Sequence, residues 1–118
     1  MNYALLIYGD DAAWVDLPDE EKAELRAAEM PQWVSLFEEL GKADPKVAGK
    51  ELDGRDAAKV VRVREGERLI TDGPFAETKE ILGGVFLADL PDLDEAIRLA
   101  ALIPSAKHGS IEIRPVLQ

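Results

Sequence analysis

The stretch Thr71–Gly84, TDGPFAETKEILGG, sets a Gly-Pro turn, an aromatic ring and four charged side chains between two apolar runs. Asp72 precedes a Gly73-Pro74 turn signal, and Phe75 is a large apolar group on a loop, expected to bury inward or to line a pocket. Glu77, Thr78, Lys79 and Glu80 then supply two carboxylates, a hydroxyl and an amine, more polar heads than a plain hairpin needs. Asp72 has two readings: a turn residue whose carboxylate caps local backbone N–H groups, or a catalytic carboxylate that moves a proton. Glu77 to Glu80 are either a solvated charge run or a contact for a ligand or a second subunit.

Two further groups join the candidate site. His108, the chain's only histidine, stands just before the last apolar run. It becomes a useful base only if the fold sets a carboxylate such as Asp72 or Glu112 beside it. Glu112 and Arg114 alternate with Ile111 and Ile113 and therefore share one strand face, as an ion pair or as polar groups that orient a small ligand. Asp72 and His108 are thus the candidate catalytic residues, and Phe75, Glu77–Glu80, Glu112 and Arg114 the candidate ligand contacts. Trp14 and Trp33 read as packing residues, with Trp14 also placed to edge a cleft mouth.

Composition removes several classes of chemistry. With no cysteine there is no thiol nucleophile, disulfide, iron–sulfur cluster or thiolate zinc site, and one histidine cannot build a multi-histidine metal site within the chain. No metal and no cofactor are expected. A net charge of −10, from 24 acidic and 14 basic residues, repels phosphate backbones and anionic membrane surfaces, so neither nucleic acid nor membrane is an expected partner. No apolar run approaches the ~18–20 residues of a membrane span, and the N-terminal MNYALLIYGDD lacks the basic flank and cleavage site of a signal peptide. A cytoplasmic location follows by default. At 118 residues, the chain is expected to form one domain over residues 1–118.

The elements that must position these residues follow from periodicity. Tyr3–Tyr8 predicts a strand that is apolar on both faces, with Tyr3, Leu5 and Ile7 against Ala4, Leu6 and Tyr8. Ala12–Leu17 reads as a loop. A helix begins at Pro18, its dipole complemented by Asp19, Glu20 and Glu21, with a stripe through Leu25, Ala28, Trp33, Leu36, Phe37 and Leu40. Pro31 predicts a kink near Met30 or two abutting helices, and Gly41 a C-terminal cap. Short strands follow at Val47–Leu52, Ala58–Arg64 and Arg68–Thr71, the last two as a hairpin. Gly84–Leu90 is a second strand apolar on both faces. Asp92 and Glu95 form a capping box for a helix that Pro104 ends, and Ser110–Val116 is the last strand.

This order matches a split βαβ plan with an inserted hairpin, an α+β ferredoxin-like arrangement with both helices on one sheet face. The opposite face then has to cover Leu6, Tyr8, Phe86 and Ala88, or the complementary set. An exposed apolar patch of that size is uncommon in a monomer, which predicts a homodimer with two sheets facing across a barrel-like core.

Asp72–Glu80 (DGPFAETKE) resembles the signature of the DGPF branch of YCII-related proteins, and Tyr3–Asp10 and Gly109–Val116 resemble that branch's two ends. The resemblance covers almost the whole chain. It implies a ferredoxin-like fold that dimerises as an α+β barrel, but little chemistry, since most DGPF proteins have no established activity. Many are encoded beside extracytoplasmic-function sigma factors, which makes a sigma factor a candidate partner. More distant YCII members are thought to be enzymes with a His–Asp pair, one of them in chloroaromatic breakdown, with the histidine on the first helix. This chain has no histidine there, and that pair does not carry over. The leading reading is a small-molecule-binding or regulatory dimer. The alternatives are an enzyme doing acid–base chemistry on a small polar metabolite through Asp72 or His108, and an interaction protein whose acidic surface meets a basic partner.

Overall fold

A strand that is apolar on both sides belongs in the middle of a covered sheet, and the first strand takes that place. The computed structural model describes residues 1–76 and 78–117. Its strands are β1 (Asn2–Gly9), β2 (Ala48–Glu51), β3 (Lys59–Arg64), β4 (Glu67–Asp72), β5 (Ile81–Asp89) and β6 (Ser110–Pro115). Three α-helices are α1 (Ala12–Val15), α2 (Asp19–Ala43) and α3 (Leu93–Leu102), with short 3-10 turns at Arg55–Ala57 and Pro104–Lys107. β1 pairs antiparallel with both β5 and β6, giving a sheet ordered β2-β5-β1-β6, while β3 and β4 form a separate two-stranded sheet. This mixed α+β order is compatible with a ferredoxin-like fold.

Register decides which side chains meet. Tyr3 lies opposite Ala88 and Leu5 opposite Phe86 on one neighbour, and Leu5 opposite Ile113 on the other. The core is therefore Tyr3, Leu5, Phe86 and Ala88 under Leu36 and Leu40 of α2 and Leu99 of α3. Phe86 and Ala88 share the helix-covered face, so the expected grouping with Leu6 and Tyr8 does not occur. The other face carries Ala4, Leu6, Val85 and Leu87, joined by Glu112 and Arg114 of β6, and Leu87 is half-exposed.

Several local expectations are corrected. Ala12–Val15 is a turn of helix rather than loop, and Asp10 Oδ1 accepts the Ala12 N–H at 3.0 Å. α2 is one continuous helix with Pro31 inside it, not two. The burial of Leu36 and Leu40 against the sheet anchors the helix beyond the proline. The helix also runs past Gly41 and ends at Asp44, whose N–H bonds to Leu40 O at 2.8 Å. The Asp44 carboxylate then accepts the backbone N–H groups of Lys46 and Asp89, each at 2.9 Å, tying the helix end to β5. β5 begins at Ile81, three residues before the expected start, because Ile81 and Leu82 continue the pairing past a bulge opposite Ile7–Tyr8. Asp92 caps α3 as read, accepting the Glu95 N–H at 2.9 Å, but the return half of the box is replaced: the Glu95 carboxylate accepts from the Arg98 guanidinium instead.

The radius of gyration is 16.2 Å, against about 13–14 Å for a compact chain of this length. The excess reflects the β3–β4 hairpin, which stands apart from the four-stranded sheet and makes its extensive contacts between its own two strands. Among the described residues, no helix is long and apolar enough to cross a membrane.

Candidate functional site

The residues singled out from the sequence are spread over three regions. Asp72 is the last residue of β4, opposite Lys59, and its carboxylate pairs with the Lys59 ammonium at an exposed position. The ladder continues to Gly73, whose N–H bonds to Ala58 O at 2.8 Å, so Asp72-Gly73 is not the tight turn expected of it. Packing demands the glycine: a Cβ there would lie 2.8 Å from the Ala58 Cβ. The hydrogen bond from Lys59, with its charge, holds the Asp72 carboxyl below the usual carboxylate range. That makes it a weak base near neutral pH. Phe75 neither buries nor lines a pocket; it is 78% exposed, with the Arg62 guanidinium over its ring at 5.5 Å.

The rest of the motif is tied down by a residue not singled out from the sequence. Arg55, in the 3-10 turn after β2, donates Nη2 to Lys79 O at 3.2 Å and pairs through Nε with Asp11 Oδ1. Its backbone N–H also reaches Asp11 Oδ2 at 2.9 Å. Arg55 thus fixes the loop after β4 to the end of β1. Burial pushes the Asp11 carboxyl up, but the hydrogen bonds and charge of Arg55 outweigh it and leave it below its ordinary value. Thr78 turns its hydroxyl to Glu80 O, and Glu80 Oε2 accepts from Ser110 Oγ at 2.9 Å. Glu77 lies outside the described residues.

Glu112 and Arg114 lie on the sheet face away from the helices, joined at 3.1 Å, and Tyr8 donates its hydroxyl to Glu112 at 3.2 Å. Burial, then the hydrogen bond and charge of Glu112, push the Tyr8 phenol up. Arg114 pairs with Ala4 while Ser110, the partner of Glu80, pairs with Tyr8, so Arg114 sits at the other end of β6 from the motif loop. His108 is exposed and lines a small cleft of about 490 Å³ with Trp14, Arg26 and Glu29. Neither described cleft brings two of Asp72, His108 and Arg114 together.

A larger concavity lies elsewhere. A cleft of about 1010 Å³ opens between α2 and the ends of β1, β2 and β5, on the helix-covered face of the sheet. One stripe of α2 forms a wall: Lys22, Arg26, Glu29, Trp33, Phe37 and Leu40 recur at intervals of three and four residues, changing from charged to apolar along the helix. Trp33, Phe37 and Phe86 make a continuous aromatic floor, with ring centroids 5.9 and 6.2 Å apart in sequence. Gly49 of β2 lies beneath it, and a Cβ there would meet the Phe86 ring at 2.5 Å. At the mouth, Arg26 forms an ion pair with Glu51 at 2.7 Å, and its guanidinium lies over the Trp14 ring at 5.3 Å. Glu29 accepts the Trp33 indole N–H at 3.4 Å.

Trp14 therefore edges a cleft mouth, while Trp33 combines packing with a place in the wall. Arg26, Glu29 and Glu51 were not legible as site residues. The signal available for them was the charged beginning of the 22–26–29–33 stripe, on a helix whose apolar half alone reads as core.

The architecture so far defines a two-layer α+β domain with an aromatic cleft between its layers. The profile of the YCII-related domain matches residues 1–118, and the chain belongs to that family. It is also 38% identical over 121 residues to an uncharacterized protein of Rhizobium meliloti (strain 1021), covering 98% of this chain and 92% of that protein.

Proposed function

We propose that the chain is a small-molecule-binding domain that works as a homodimer, with the α2–sheet cleft as its binding site. The observation that carries this reading is the cleft, about 1010 Å³, at the upper end of the ~300–1,000 Å³ common for ligand pockets. It is floored by three aromatic rings, as ligand pockets commonly are, and its rim is more highly charged than most. The DGPF motif enters the reading as a loop whose backbone Arg55 fixes beside the cleft, not as a source of catalytic groups. Enzymatic acid–base chemistry through Asp72 or His108 has less support: one is an exposed, ion-paired strand residue and the other an exposed loop residue. A link to sigma factors follows from the family resemblance alone.

The dimer is supported by the helix-free face of the sheet, where Leu6, Val85 and Leu87 lie side by side, and by a hairpin with exposed aliphatic side chains. Two measurements test the proposal. A thermal-shift screen against a metabolite library is expected to find a compound that raises the Tm of the wild type and loses this effect in Trp33→Ala; stabilisation that survives in Trp33→Ala would remove the cleft from the reading. Sedimentation is expected to give a dimer at micromolar concentration, and a stable monomer there would remove the dimer.

A further inference from the structure

Resting on that reading of the cleft, we infer that its ligand is a planar aromatic molecule carrying a protonated amine or amidine, an aromatic organic cation. The mouth of the cleft already holds a cation. The Arg26 guanidinium lies on the Trp14 ring and against the Glu51 carboxylate, so an aromatic face and an anion converge on one delocalised cation. Those are the two elements by which proteins hold organic cations. Arg26 and Glu51 are both largely exposed, and a surface pair of this kind contributes little to stability. An incoming cation can therefore take the place of the guanidinium at small cost.

The interior fits the other half of the molecule. Trp33, Phe37 and Phe86, further along the same cleft, offer ring faces and edges to a flat apolar group. The rim disfavours an anion. Asp11, Glu29, Glu51, Asp53 and Asp56 line the cleft against Lys22, Arg26 and Lys50; with Asp11 engaged by Arg55 and Glu51 by Arg26, the carboxylates of Glu29, Asp53 and Asp56 still outnumber the ammonium groups of Lys22 and Lys50. In a chain of net charge −10, that imbalance repels carboxylates and phosphates and draws in cations.

Trp14 and Trp33 are the chain's two tryptophans and both line the cleft; Trp14 also lines the smaller cleft beside His108, so the Trp33 indole N–H resonance is the specific reporter of occupancy and Trp14 reports events at the mouth. The test titrates the intact protein with three shape-matched probes: 2-naphthylmethylamine, 2-naphthalenemethanol and 2-naphthoate. The amine is expected to move both indole resonances and to bind more tightly than the alcohol, with the carboxylate weakest. Arg26→Ala, which vacates the Trp14–Glu51 site, is expected to tighten the amine by about two- to fivefold, and Glu51→Gln to weaken it by a similar factor. Both positions are exposed, so both variants are expected to fold as the wild type does. Tightest binding of the carboxylate, lost in Arg26→Ala, would overturn the inference and leave the cleft as a site for anions. Silence of both indoles with all three probes, while a library compound of other chemistry moves them, would overturn the ligand class alone. Silence with every compound would overturn the cleft reading as well.

Discussion

Arg55 is the residue on which the geometry of the motif loop depends. It joins Asp11 at the end of β1 to the backbone at Lys79, segments far apart in the chain. Arg55→Ala is expected to lower the Tm by several degrees and to speed proteolysis of the loop after β4, measured by thermal melting and limited digestion. The same pair sets a pH dependence. The Asp11 carboxyl has a depressed folded-state pKa, so its contribution to stability is present above the unfolded-state value and is lost as pH falls through the folded one. A plot of Tm against pH on the acid side is therefore expected to fall less steeply in Arg55→Ala than in the wild type. Asp72, the residue for which the motif is most conspicuous, has no comparable structural reach; its one ion pair joins neighbours across an exposed ladder.

At the scale of elements, the close approach of β2 to β5 shapes the cleft floor. Gly49→Val puts branched carbon where the Phe86 ring stands, and is expected to cost about 1–3 kcal/mol by urea denaturation while displacing the ring into the cleft. The hairpin makes a different prediction. Val61, Val63 and Ile70 lie on one face of β3–β4 and are 59–62% exposed, and a two-stranded hairpin is marginal by itself in water. Its amides are expected to exchange much faster than those of β1 and β5 in dilute solution, and to gain protection as protein concentration rises. Protection that ignores concentration would place the hairpin outside any subunit contact. Element order was legible from the sequence because β1 and β5 announce themselves as two-sided apolar strands. Register was not: alternation sorts side chains within a strand, and only the pairing of Leu5 with Phe86 says which faces combine. The cleft was hidden for a related reason. Arg26 and Glu51 meet only when α2 crosses β2, a juxtaposition that no local spacing encodes.

The whole molecule is broad and thin, 46 × 41 × 21 Å, and carries a net charge of −10. Two such chains repel one another at long range, so association driven by apolar faces is expected to strengthen with salt. Sedimentation at about 20 and 200 mM salt checks this; weaker association at the higher salt would instead mark a contact held by opposite charges, such as the arginine-bearing hairpin against an acidic neighbour. The central place of β1 has a consequence of another kind, in time. β1 pairs with β5 and β6, both later in the chain, so Leu5 waits for Phe86 and Ile113 before it has a partner on either side. During synthesis, α2 and the β3–β4 hairpin can form early from local contacts, but the sheet that carries the core closes only when the C-terminal third has emerged. Such a topology folds slowly for its size, and until then apolar β1 stands unpaired.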